Sequence, residues 1–349
     1  AAMYEKETSR LSEAARRVVP DEPSLLAHLP YVIELDDETV CTRKNGLMMS
    51  LEIGGIDGLT AAPQDIVDLR RAFTSVIDGL DERFTFYIHR LHRRAALGLQ
   101  PVRGEGFAAD LDRRWRRHLD RQNLHDFVVV LTVLRTLPTP LRVPLFGKAA
   151  AKLLQSDTES RLHELRELVS VLESSLPAVR MRRLKISDGS LIGFYAAINT
   201  GILRSAHRGE ISLIAEDVAD TALTFGRDSV LLDEGFDRPR HAAVLPIRRY
   251  SQETWPGMLD ALDSSLDLLI CHSFSPIASH KIAEKVRLRV NQMRGADDLA
   301  TSIQEQLIRT ADDVESGRQG VGQHQLTITV YADSAAELDR RVSQIKGAA

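Results

Sequence analysis

Two periods of apolar and polar residues run along this chain, and they alternate. In "QLTITVY", residues 325–331, Leu326, Ile328 and Val330 alternate with Thr327, Thr329 and Tyr331, which predicts a half-buried strand. "YVIELDDETVCTRKNGLMMSLEIGG" predicts strands joined by tight turns at Asp36-Asp37 and Asn45-Gly46. "RFTFYIHRLHR", "HDFVVVLTVLR" and "LDLLICHSF" predict further strands, the second apolar enough for the centre of a sheet. "ALTFGRDSVLLDE" predicts a hairpin, and "AAVLPIRRY" a strand whose Pro246 argues for an edge or a bulge.

The helical period fills the intervals. In "PQDIVDLRRAFTSVIDGL", Pro63 suits a first turn and Ile66, Leu69, Phe73 and Ile77 form the buried stripe. "GFAADLDRRWRRHLDRQ" carries Phe107, Leu111, Trp115 and Leu119 four apart, with the arginines as a solvated face. A long helix follows residue 148 with Leu154, Leu162, Leu165, Leu168 and Leu172, and shorter ones are expected at "GFYAAIN" and "WPGMLDALDSS". Ser275-Pro276 reads as a helix start, opening a helix or helical pair that runs to Ser316 with a weak point at Gly295. Ser334 and Glu337 form a capping box for a last helix carrying Leu338, Val342 and Ile345.

This succession predicts an α+β fold with mixed or antiparallel sheets, packed helices, and a long helix or helical pair near the C-terminus. It divides into an N-terminal arm (1–24), a first α/β subdomain (25–150), a mainly helical middle region (151–240) and a second α/β subdomain (241–349).

With 43% hydrophobic and 27% charged residues the 349-residue chain can bury a core. A net charge of −4 supplies no global drive toward nucleic acid or an anionic membrane. Uninterrupted apolar runs are far shorter than the roughly 20 residues of a spanning helix. Cys41 and Cys271, without CxxC spacing, are expected as buried thiols in a reducing compartment. A soluble cytosolic protein is the expectation.

Candidate chemistry is sparse. Gly317, Gly320 and Gly322 precede a strand, whereas a phosphate loop leaves a strand and opens a helix. No G-x-x-x-x-G-K-[ST] occurs, so these glycines are read as a structural turn. "SVLLDE" resembles a Walker B strand ending in Asp233 and Glu234, without a Walker A to complete it. The basic clusters "HRLHRR", "RRWRRH" and "RMRRLK" are either a nucleic-acid surface with Trp115 stacking a base, a solvated face, or a surface for a partner or anionic lipid. His272 and His324 lie at strand ends without metal-ligand spacing. No catalytic, cofactor-binding or metal-ligating set stands out. "TLPTPLRVPLFGK" has three prolines that bar a regular helix, so Leu141, Arg142, Val143, Leu145 and Phe146 are either an exposed docking segment or a loop across the domain's own core.

A resemblance carries the reading further. "HSFS" at 272–275, "ADD" at 296–298 and "SGRQGVGQHQLTITVY" at 316–331 resemble the N-terminal region of the CagE/TrbE/VirB family of type IV secretion and conjugation ATPases. "YVIELDDETVCTRKNGLMMSLEIGGID", "FTFYIHRLHRR" and "DFVVVLTVLR" resemble that family's earlier strands. The family pattern often has a second His where this chain carries Gln325. The resemblance implies an assembly and docking domain of an ATPase that powers channel biogenesis and transfer of DNA or protein. It implies contacts with inner-membrane channel subunits, with other copies of the chain as a dimer or hexamer, and with other secretion ATPases. It implies a peripheral place on the cytoplasmic face of the bacterial inner membrane. ATP and magnesium belong, by the same resemblance, to a later P-loop domain before which this chain stops, so it is expected to be inactive alone. Two other functions stay open, a nucleic-acid-binding module using the arginines and a nucleotide hydrolase using Asp233 and Glu234.

Overall fold

A computed structural model describes residues 25–57, 60–95, 104–122, 124–137, 148–209, 212–233, 239–251, 257–262, 265–295, 301–316 and 319–348. The predicted arm, residues 1–24, lies outside them. Strands β1 (Tyr31–Glu34), β2 (Thr39–Thr42) and β3 (Leu47–Ile53) lead into α1 (Pro63–Asp78) and β4 (Phe84–Arg94). Then come α2 (Phe107–Arg121), β5 (His125–Arg135), α3 (Lys148–Ser175), β6 (Met181–Arg183), α4 (Ser190–Thr200) and α5 (Ile214–Val218). The hairpin β7 (Ala222–Phe225) and β8 (Val230–Asp233) is followed by β9 (Arg240–Pro246) and β10 (Leu268–Pro276). The helical pair α6 (Ser279–Gly295) and α7 (Thr301–Glu315), β11 (Gly322–Ala332) and α8 (Ala335–Ala348) complete an α+β chain.

The strands form one sheet in the order β1-β2-β3-β5-β4-β10-β11-β9-β8-β7, antiparallel at each described pairing. β3 holds β5 along one edge; on its other edge β2 pairs with Leu47–Met49 and β6 with Leu51–Ile53. β5 is central, as its apolar run predicts. β4 and β10 join the early and late parts of the chain, with Phe86 opposite Phe274 and Leu91 opposite Leu269.

Directly opposed residues project on the same face, so the register sorts the core. Phe86, Val133 and Phe274 face one way, toward α1 and α3, with Leu165, Val169 and Leu172 of α3 closing that layer. The same face continues under α8, where Leu338 and Ile345 cover Ile270, Ile328 and Val330. Leu91, Leu269 and Tyr331 face the other way, toward α4. Helix α4 is apolar on all sides and buried from Leu191 to Ala197, as a helix inside a core must be. Gly193 is required there: a Cβ on it would sit 1.8 Å from the Arg204 carbonyl oxygen.

Two polar groups at the edge of the core tie distant elements together. The buried Arg135 guanidinium donates to Glu164 of α3 at 2.8 Å and lies over the Phe84 ring. Asp267 receives His125 Nε2 at 3.2 Å and Arg341 at 3.4 Å, tying the start of β5 to α8.

Several expectations change. The apolar stripe of α2 faces outward: Phe107 is 83% exposed and Leu111 and Trp115 each 56%. In α1, Ile66 is exposed and no residue is fully buried, because that helix rests only partly on the sheet. Ser275-Pro276 ends β10 and does not open a helix. The ladder to Gln323 and Gly322 holds both residues extended, and α6 starts at Ser279. At "WPGMLDALDSS" the described residues form only a 3-10 turn, Met258–Ala261. Pro246 lies in an interior strand, but beyond the reach of β8, which pairs only with Arg240–Ala242, so no ladder bond is lost on that side. Both cysteines are free and half-buried, with the Cys271 thiol pushed up to about 11 by burial. The capping residue Ser334 accepts from the Glu337 N–H at 3.3 Å, while the Glu337 carboxylate accepts from Asp333 N–H, one position before the predicted partner.

Candidate docking surfaces

The glycine segment occupies the entry to β11. Gly322 is the first residue of that strand and pairs with Pro276. A Cβ on it would lie 2.3 Å from the Phe274 ring, and one on Gly320 would lie 2.3 Å from Asp78 Oδ1. Close packing against neighbours occupies the space that a phosphate cradle would leave open. Gly317 lies outside the described residues. So do Leu141, Arg142, Val143, Leu145 and Phe146 of the proline-rich segment, and Glu234. Asp233 is exposed at the end of β8, in an antiparallel hairpin opposite Ala222. A magnesium-holding aspartate stands beside a phosphate loop, and here the glycines belong to a different strand, β11, and lead into it. Among the described residues, Asp233 and the glycine segment are not brought together as an ATP and magnesium site would require.

The sheet joins the motifs "HSFS" and "GQHQ". Ser273 lies opposite Gln325, Phe274 opposite His324 and Ser275 opposite Gln323. Ser273, Ser275, Gln323 and Gln325 line a cleft of about 910 Å³ together with Tyr87, Arg43 and Lys44. His272 Nδ1 and His324 Nε2 are 3.1 Å apart, one donating and the other accepting, and the Tyr250 hydroxyl reaches the His324 carbonyl at 2.9 Å. Burial holds both imidazoles below their ordinary pKa, and His272 is lowered further by His324. Among the described residues no group of three or more His, Cys, Asp or Glu could hold a metal ion. The histidines are 52 positions apart in sequence; their meeting depends on the β10–β11 register, which spacing does not reveal.

The three basic clusters have different fates. In "HRLHRR" His89, Leu91 and His92 are buried in β4. In "RMRRLK" Arg182 pairs with Glu52, Arg183 with Glu38 and Glu173, and Lys185 with Glu38. In α2, Arg113 pairs with Asp110 and Arg116 with Asp112. Arg114, Arg117 and Arg121 are exposed and carry no ion pair among the described residues. Trp115 stacks on His118, ring centroids 5.4 Å apart. On α2, arginines without an ion pair among the described residues thus lie beside the exposed Phe107 and Trp115. Its sequence shows the stripe; nothing in the periodicity shows which way the stripe points.

Two family models match the chain. Residues 183–348 match the CagE, TrbE, VirB family, component of type IV transporter system. Residues 38–142 match the N-terminal domain of the type IV secretion system ATPase VirB4/TrbE. The chain is similar to type IV secretion system protein virB4 of Bartonella henselae, 24% identical over 96% of this chain and 44% of that protein. It is also similar to protein virB4 of Agrobacterium tumefaciens, 26% identical over 90% of this chain and 41% of that protein. Type IV secretion system protein CagE of Helicobacter pylori is 22% identical over 77% of this chain and 29% of its own length. The chain therefore spans less than half the length of these relatives. The two matches take in β2 to β5 and then α4 to α8, and the chain belongs to the CagE, TrbE, VirB family of type IV transporter components.

Proposed function

We propose that this chain is the assembly and docking module of a type IV secretion ATPase. It holds the enzyme against inner-membrane subunits of the channel, further copies of itself and other secretion ATPases, while ATP and magnesium are handled by a part of the longer protein that these residues do not include. The observation that carries this reading is the outward stripe of α2. A helix that turns Phe107, Leu111 and Trp115 to solvent leaves apolar area uncovered that soluble folds ordinarily bury. The nucleotide-hydrolase reading has less support, because Asp233 sits in an edge hairpin remote in topology from the glycine segment. The nucleic-acid reading has less support because Arg182, Arg183 and Lys185 are matched by carboxylates, and in the 89–94 cluster both histidines are buried and Arg93 pairs with Asp126.

The test is co-purification from bacterial membranes. Tagged chain is expected to retain type IV secretion subunits or a differently tagged second copy, and the double variant Leu111→Asp, Trp115→Asp to lose them while staying folded. Equal recovery by the wild-type and the variant would sink the reading.

A further inference from the structure

Helix α2 is amphipathic in the sense opposite to a core helix. Phe107, Leu111 and Trp115 succeed one another at i, i+4 and i+8 and form one exposed ridge. The side toward the protein carries the buried Ala109 and the half-buried Asp112, Arg116 and Leu119, with Asp112 and Arg116 paired at 3.0 Å. Arg114 and Arg121 are seven residues apart, two turns, and Arg117 lies one turn from Arg114, so the three share a flank beside the ridge. None of them has an ion-pair partner among the described residues, whereas Arg113 and Arg116 do. The helix lies in the connection between β4 and β5, whose end is closed by the Ala95 N–H donating to the Leu124 carbonyl at 2.8 Å. The chain thus connects it to the ends of two long central strands.

We propose that α2 is a membrane-surface helix that lays Phe107, Leu111 and Trp115 into the headgroup boundary of an anionic bilayer, with Arg114, Arg117 and Arg121 against lipid phosphates. The inference rests on the docking reading above and names the partner of that face. Charge complementarity favours lipid. The chain as a whole is at −4, yet α2 holds five arginines against three aspartates, and the three without an ion pair among the described residues border the apolar ridge. An interfacial helix combines a polar average composition with aromatic groups on one side and arginine on the other, as α2 does. No described helix is long and apolar enough to cross a membrane, so α2 lies on the surface and does not span it.

The experiment is vesicle co-sedimentation of the purified 349-residue chain, with phosphatidylglycerol in phosphatidylcholine against phosphatidylcholine alone. Binding is expected only to the anionic vesicles and is expected to fall with added salt. Replacing Arg114, Arg117 and Arg121 by Gln should weaken it roughly a hundredfold, since each cation near such a surface contributes about a factor of five. Leu111→Asp with Trp115→Asp should weaken it at least about tenfold at an unchanged melting temperature. In a Trp255→Phe background the Trp115 emission should shift to the blue on binding. Absence of wild-type binding, binding unaltered in either variant, or preference for a DNA duplex over the vesicles would each overturn the proposal. If the wild-type ignores vesicles but the Asp variant loses its secretion subunits, the docking reading stands and the lipid partner falls. If neither assay responds to the variants, both fall.

Discussion

Leu269 of β10 lies directly across the ladder from Leu91 of β4, and both are buried, at 5% and 4% exposure. This contact joins the early strands to the late ones under α4, where Ala197 and Tyr331 complete the cluster. We expect Leu269→Ala to cost about 2–5 kcal/mol, the range for a buried leucine that leaves a cavity. Leu91→Ala should cost as much, and the double variant less than the sum, because the two share one cavity. Denaturant unfolding of the four proteins measures this; strict additivity would show that the sheet does not join there.

Gly193→Ala is expected to destabilise the chain by about 3 kcal/mol or more, since the new methyl would overlap a backbone carbonyl that cannot swing aside. Gly79→Ala is the control: nothing lies within 4 Å of its Cβ position, and its φ of −82 is open to any residue. There the change should be neutral or stabilise by up to about 1 kcal/mol. Melting temperatures of the two variants should move in opposite directions or differ widely.

Gly322→Ala places a methyl against the Phe274 ring and the Ser275 carbonyl, and should cost about 1–3 kcal/mol. Phe274→Leu should relieve part of that cost. Measured phosphate or ATP affinity should not change with either substitution; an anion lost together with Gly322 would return the segment to a ligand role.

His89 is buried against the Phe194 ring, and burial lowers its pKa to about 4 from the ordinary 6.5. Between those values the unfolded chain binds a proton that the folded chain refuses. Stability is therefore complete above about 6.5 and declines as the pH falls toward 4, by roughly 3 kcal/mol in all. His272 and His324 contribute with the same sign. His89→Phe should flatten the slope of unfolding free energy over that window; an unchanged slope would mean that His89 is protonated when folded.

Local order in the chain determined most elements. The alternation in "HDFVVVLTVLR", the Asn45-Gly46 turn and Pro63 at a first turn each act within a few residues, and β5, the β2–β3 turn and α1 stand where those signals put them. The family motifs were legible for the same reason, since each is a short run of adjacent residues. Three things were decided only by the tertiary structure. Ser275-Pro276 carries a helix-start signal, yet ladder bonds to Gln323 and Gly322 hold it extended, because strand pairing supplies partners that an isolated cap cannot. His272 and His324 meet because the β10–β11 register sets them diagonally across from each other, and register between distant strands follows from the whole sheet. The stripe of Phe107, Leu111 and Trp115 was visible as a period of four, but a helical period fixes only which residues share a side. Which side is covered depends on what packs there, and α2 sits on Ala109 and the Asp112–Arg116 pair with its aromatic ridge toward solvent.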